Sequence, residues 1–126
     1  MDKKILIVDD EPHIRLLISR TLQDLEDEGV ELLTANDGEA GLEMIQTERP
    51  QLVFLDVMMP KKNGFEVCHT VKKELGMQDV NIILLTAKGQ EVDIQHGEEV
   101  GANFYLTKPF DPDDLLARAK AILELA

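Results

Sequence analysis

The chain has 126 residues, 44% of them hydrophobic and 30% charged, which is the composition of one ordinary globular domain with its own core. Asp and Glu total 25 against 13 Lys and Arg, a net charge of -12. That excess argues against binding nucleic acid, which needs cations against phosphates, and against docking on an anionic membrane. The single cysteine, Cys68, cannot form an internal disulfide, and no stretch has the apolar length of a leader core or a membrane span, so the expected location is the cytoplasm.

"ILIV" at 5–8 reads as a buried strand, followed by a helix over 11–27 with Ile14, Leu17, Ile18, Leu22 and Leu25 on one face. "ELLTA" at 31–35 is a second strand, and Asn36 with Glu39 reads as the N-cap and third-position acid of a second helix. "LVFL" at 52–55 is the third strand; Asn63 and Glu66 repeat the cap signature, and Val67, Cys68, Val71 and Leu75 form the stripe of the helix that follows. "IILLT" at 82–86 is the fourth strand, and a helix is expected over 89–100, poor in apolar residues and therefore easily moved. "FYLT" at 104–107 is the fifth strand, and Asp111-Pro112 opens a last helix that buries Leu115, Leu116, Ala119, Ile122 and Leu123. Strands alternating with helices imply parallel pairing through right-handed crossovers, and unbroken apolar runs imply a sheet covered on both faces. The expected fold is a doubly wound α/β domain spanning residues 1–126.

In such sheets ligands bind beyond the carboxyl ends of the strands. The first strand ends in Asp9 and Asp10, the third in Asp56, the fourth in Thr86 and the fifth in Lys108; the second offers little. Asp56 is a lone charge in an apolar run, and carboxylates are not buried without compensation. Three carboxylates brought together need a proton or a cation, and an oxygen-only cluster suits a hard divalent ion, Mg²⁺ above all. A carboxylate between Mg²⁺ and a lysine suits an anionic phosphoryl group in transfer, with Asp56 as nucleophile and Thr86 able to bond a phosphoryl oxygen.

Each residue has a plainer reading. Asp9 and Asp10 could cap the following helix, Thr86 is a common strand residue, and Lys108-Pro109 marks a loop. Cys68 falls on a buried stripe and packs, Met58 and Met59 fill core or loop, Glu98-Glu99 form a solvated face, and His13, His69 and His96 share no ligand spacing. The functional reading rests on the constellation, not on any member alone.

"VDDE" after an apolar strand, "LDVMMPKKNG", "LLTA" and "YLTKPF", in this order from about Lys3 to Leu123, resemble the receiver domain of two-component response regulators. The resemblance implies a flavodoxin-like five-stranded parallel sheet in the order 2-1-3-4-5 with helices on both faces. It implies that Asp56 is the phosphoacceptor, and that Asp10, Asp56 and the Met58 backbone carbonyl hold Mg²⁺, with Asp9 acting largely through water. Lys108 would contact the phosphoryl group, ahead of a cis bond to Pro109. Thr86 and Tyr105 would form the switch pair, and residues 90–123 the output face. The implied partners are a sensor histidine kinase or phosphotransfer protein and a downstream protein. The chain would be a monomer or a weak phosphorylation-dependent dimer, and not an enzyme in its own right, although it assists its own phosphorylation and dephosphorylation. Met58 and Lys88 would border the path of the hydrolytic water.

Two enzymatic or cofactor-binding readings compete. A phosphatase of the haloacid dehalogenase kind needs an acid two residues after the nucleophile, where Met58 stands. A flavin module needs a phosphate-cradling loop after the first strand, where "DDEPH" stands. Within the receiver reading, a stand-alone form is expected over an excised N-terminal receiver of a longer regulator with a DNA-binding or enzymatic output.

Overall fold

The computed structural model describes residues 3–87 and 99–125. Five strands alternate with helices: β1 (Lys3–Val8), α1 (Pro12–Thr21), β2 (Val30–Ala35), α2 (Gly38–Glu48), β3 (Leu52–Asp56), α3 (Gly64–His69), β4 (Asn81–Ala87), β5 (Phe104–Lys108) and α4 (Pro112–Leu123). All pairings are parallel and the strand order is β2-β1-β3-β4-β5, the expected order. The helix expected over 89–100 lies mostly outside the described residues.

Successive strand residues point to opposite faces, so each strand feeds two cores. Leu6, Val8, Val53, Leu55, Ile82 and Leu84 pack on one side with Ile45 of α2 and Val67 and Cys68 of α3. Ile5, Ile7, Phe54, Ile83 and Leu85 pack on the other with Ile18 of α1 and Leu115 and Ala119 of α4. That double covering explains why the middle strands read as unbroken apolar runs.

Local expectations fail in three places. The first helix stops at Thr21 and gives way to a 3₁₀ segment over Gln23–Glu28, ended by Gly29 at φ 87°. Asp24, Glu26, Asp27 and Glu28 crowd what would be the negative end of a longer helix. Leu17, expected on the buried face, is 42% exposed. The second helix is capped by Asp37, not Asn36: the Asp37 carboxylate accepts from the Ala40 N–H at 2.8 Å. That bond and the nearby Lys61 ammonium hold the Asp37 pKa below its usual value.

The third failure is informative. Asn63 and Glu66 form the expected reciprocal capping box, but α3 widens into a π turn over Thr70–Glu74, with the Leu75 N–H donating to the Thr70 carbonyl five residues back at 2.8 Å. The extra residue shifts the phase. Lys72, four residues after buried Cys68 and on the same face, points inward, where its ammonium donates to the Val80 carbonyl, while Leu75, beyond the extra residue, is carried outward to 45% exposure. Burial lowers the Lys72 pKa. Cys68 packs as expected, and burial pushes its thiol up to about 11.

Candidate functional site

At the carboxyl end of the sheet the loop after β1, the end of β3 and the end of β5 meet. β1 and β3 are adjacent and in register from Ile5 with Leu52 to Val8 with Leu55, so Asp9 and Asp56 emerge side by side. Both are buried, at 0% and 4% exposure. The Lys108 ammonium reaches across from β5 and bonds Asp9 Oδ2 at 2.9 Å, pairs with Asp56 Oδ1 at 3.2 Å, and lies 3.7 Å from Glu11 Oε1. One carboxylate oxygen from each of Asp9, Asp10, Glu11 and Asp56 falls within 4.8 Å of the others.

The electrostatics follow from this crowding. Burial pushes the Asp56 carboxyl up to about 6, and the Asp9 charge adds to the rise; Lys108 and the Met58 backbone N–H oppose it without cancelling it. Burial by itself would depress the Lys108 ammonium, but its hydrogen bond to Asp9 and the charges of Asp56 and Asp9 outweigh that and raise its pKa. One ammonium thus serves several carboxylates, and the cluster remains short of positive charge. An oxygen-only donor set this close, two of its members buried, has the chemistry of a hard divalent cation site.

Asp9 is already committed within the protein. Its Oδ1 accepts from the Glu11 N–H at 2.9 Å, its Oδ2 from Lys108, and its backbone carbonyl from Arg15 at 2.6 Å. Asp10 is exposed, with one carboxylate oxygen within 4.8 Å of those of Asp9, Glu11 and Asp56. Met58, two residues beyond Asp56, is 73% exposed.

Thr86 is buried on β4, one residue past Leu85, which is in register with Asp56; its hydroxyl donates to the Leu106 carbonyl of β5 at 3.5 Å. Tyr105 is partly buried on β5, opposite Leu84, against the core that carries α2 and α3. The Lys108-Pro109 bond is cis. Within the expected output face, the described part carries an apolar groove of about 400 Å³ lined by Phe104, Ala117, Arg118, Ala121 and Ile122, with the Arg118 guanidinium 5.4 Å over the Phe104 ring. Residues 90–98 of that face, His96 and Lys88 lie outside the described residues.

The structure therefore brings Asp9, Asp10, Asp56 and Lys108 together and sets Thr86 on the adjoining strand. Two further neighbours, Glu11 and Arg15, escaped the sequence reading. Glu11 was in view as the third acid of "VDDE"; Arg15 acts on a backbone atom, and no residue pattern marks such a contact.

Residues 5–120 match the family described as response regulator receiver domain. The chain is 47% identical over 123 residues to the alkaline phosphatase synthesis transcriptional regulatory protein PhoP of Bacillus subtilis, covering 98% of this chain and 49% of that protein. It superposes on the chemotaxis response regulator CheY4 of Vibrio cholerae with a TM-score of 0.83 at 36% identity, covering 97% and 99% of the two chains. It also superposes on DrrB, a Thermotoga maritima OmpR/PhoB homologue, with a TM-score of 0.83 at 39% identity, covering 98% of this chain and 54% of that one. The chain spans about half the length of the curated relatives it matches. Among the described residues no helix is long and apolar enough to cross a membrane. With the sheet order, the acid-and-lysine rim and the family match in agreement over nearly its whole length, the chain belongs to the receiver domains of two-component response regulators.

Proposed function

We propose that Asp56 is the phosphoacceptor of this receiver, and that its phosphorylation controls a partner bound through residues 90–123. The observation that carries this reading is a buried carboxylate at a strand end, held 3.2 Å from the Lys108 ammonium and pushed up to about 6 by its surroundings. An Asp56 oxygen attacks the donor phosphorus; the new O–P bond forms as the bond to the donor breaks, and the electron pair leaves with the donor. For a phosphohistidine of a histidine kinase or phosphotransfer protein, the pair goes to the imidazole nitrogen, which then takes up a proton. Lys108 is placed to share its charge between Asp56 and a phosphoryl oxygen. Asp10, Asp56 and the Met58 carbonyl would hold Mg²⁺, with Asp9 acting largely through water since its carboxylate oxygens are already bonded to protein. Bound there, the ion supplies the positive charge that the donor phosphate and the carboxylates share.

Thr86 and Tyr105 form the relay. The long 3.5 Å bond to Leu106 leaves the Thr86 hydroxyl a weak partner to give up for a phosphoryl oxygen, and Tyr105 follows on the adjoining strand. The relatives include transcriptional regulators about twice as long as this chain, which favours a receiver that works with a DNA-binding output.

The test is intact mass after incubation with Mg²⁺ and acetyl phosphate. Wild type gains one phosphoryl group, and neither metal-free wild type nor Asp56→Asn does. An adduct that persists in Asp56→Asn overturns the assignment.

Met58 bears on how long the phosphoryl group lasts. Its side chain is 73% exposed two residues beyond Asp56, and we infer that a bulky apolar group there hinders the water that would hydrolyse the acyl phosphate. Met58→Asn, smaller and able to hold a water, should shorten the half-life by about tenfold, less than the roughly 100-fold or more that a fully positioned proton-transfer group supplies. Decay of the phosphorylated mass peak measures it, and an unchanged half-life rejects the idea.

A further inference from the structure

Arg15 projects from the second turn of α1 back to the loop after β1. Its guanidinium donates to the Asp9 backbone carbonyl at 2.6 Å. That carbonyl belongs to the peptide joining Asp9 to Asp10. Peptide planarity ties the carbonyl direction to the Asp10 N–Cα bond, so whatever grips the one aims the other. The rest of the loop gives Asp10 little help. Glu11, the N-cap of α1, makes no side-chain capping bond, Pro12 has no N–H, and the Glu11 N–H is spent on Asp9 Oδ1. Among the described residues Asp10 itself has no hydrogen bond holding its exposed carboxylate in the pocket.

We propose that Arg15 is a positioning residue for the cation pocket: by holding the Asp9–Asp10 peptide from α1 it orients Asp10 toward Asp56, and its permanent charge offsets the crowding of Asp9, Asp10, Glu11 and Asp56. The inference rests on the metal-assisted reading of the site and adds a residue to it. A guanidinium suits the task because it is rigid and always charged. Among the described residues two cationic side chains bond Asp9: Arg15 at its carbonyl, and Lys108 at its carboxylate at 2.9 Å while also reaching Asp56 at 3.2 Å. The two cations thus act at different atoms, Lys108 at the Asp9 and Asp56 carboxylates and Arg15 at the main chain that joins Asp9 to Asp10.

The experiment titrates Mn²⁺ into wild type, Arg15→Met and Arg15→Lys, following the free-ion signal by electron paramagnetic resonance. In parallel, the acetyl phosphate reaction is followed against Mg²⁺ concentration. Arg15→Met should weaken Mn²⁺ binding by about tenfold, the usual loss when a group supporting a metal ligand is removed. The half-saturating Mg²⁺ should rise in step, while the maximal rate at saturating Mg²⁺ stays near wild type. Arg15→Lys keeps a cation able to approach the carbonyl and should recover most of the affinity. Unchanged Mn²⁺ binding in Arg15→Met overturns the proposal, as does a lysine variant as weak as the methionine one. A fall in maximal rate with unchanged binding also overturns it, since Arg15 would then act on the phosphoryl group. Wild type that binds no Mn²⁺ overturns the metal reading itself, and the Arg15 inference with it.

Discussion

Asp56→Asn should melt several degrees above wild type at pH 8 in metal-free buffer. The cause is the site's own electrostatics. Asp56 is raised from an ordinary 3.8 to about 6, by burial first and by Asp9 second. A carboxyl whose folded pKa lies above its unfolded one binds its proton more tightly when folded. The stability this lends is fully present below pH 3.8 and is lost as pH rises through about 6. Above that, wild type holds an ionised carboxylate that the fold disfavours, at a cost of up to ~3 kcal/mol. Asparagine keeps the shape and removes the charge, though it also weakens the pairing with Lys108, so a gain of about 1–3 kcal/mol is expected, or roughly 5 °C. The gap should be near zero at pH 4 and reach its plateau above pH 7, and saturating Mg²⁺ should narrow it by stabilising wild type alone. Thermal denaturation across pH measures it. Equal melting temperatures at pH 8, or a gap that ignores pH, would remove the premise that Asp56 is held at an electrostatic cost.

Gly64→Ala should damage both stability and phosphorylation, for a reason that lies in the backbone. A Cβ on Gly64 would stand 2.4 Å from the Asp56 carbonyl oxygen and 3.0 Å from both the Asp56 carbonyl carbon and the Val57 Cα. These are main-chain atoms at the end of β3, tied down by the Val57 N–H on the Leu85 carbonyl at 3.2 Å and the Gly64 N–H on the Val57 carbonyl at 2.9 Å. They cannot step aside as a flexible side chain can. Forced overpacking of this kind costs about 1–3 kcal/mol, and a shift near 1 Å at a reacting group can cost about 100-fold in rate. Gly29→Ala is the control. Gly29 sits at φ 87° with nothing within 4 Å of its would-be Cβ, far along the chain from the rim. It should lose about 1 kcal/mol from strain with its phosphorylation rate intact. A Gly64→Ala protein that is less stable but phosphorylates at the wild-type rate would show that Asp56 tolerates the displacement.

The strands and the charges at their ends were legible because parallel sheets leave a strong mark. Runs such as "LVFL" have no polar face to hide, and the first polar residue after each run is where the sheet stops covering the chain. Asn63 and Glu66 were legible because a capping box lies within four residues. The misses share a cause as well. Asn36 and Asp37 are both good caps, and only the backbone turn decides between them. The π turn that exposes Leu75 depends on one extra residue in a helix, and a periodicity count assumes there is none. Arg15 was invisible because its partner is a carbonyl, an atom every residue has.

One feature of the site governs when it can exist. The ion pair between Lys108 and Asp9 joins residues 99 positions apart, and Asp56 lies between them in the chain. During synthesis β1 and β3 emerge long before β5, so Asp9 and Asp56 are made without the cation that reconciles them. A contact this distant carries a loop-closure cost that must be overcome before it returns anything. The carboxylates therefore meet as like charges until the last strand docks on β4 and brings Lys108 to the rim. A chain cut short before β5 would carry the acids of the rim without the Lys108 ammonium that pairs with Asp9 and Asp56. The rim is thus complete only when β5 stands on β4 and Lys108 lies between Asp9 and Asp56.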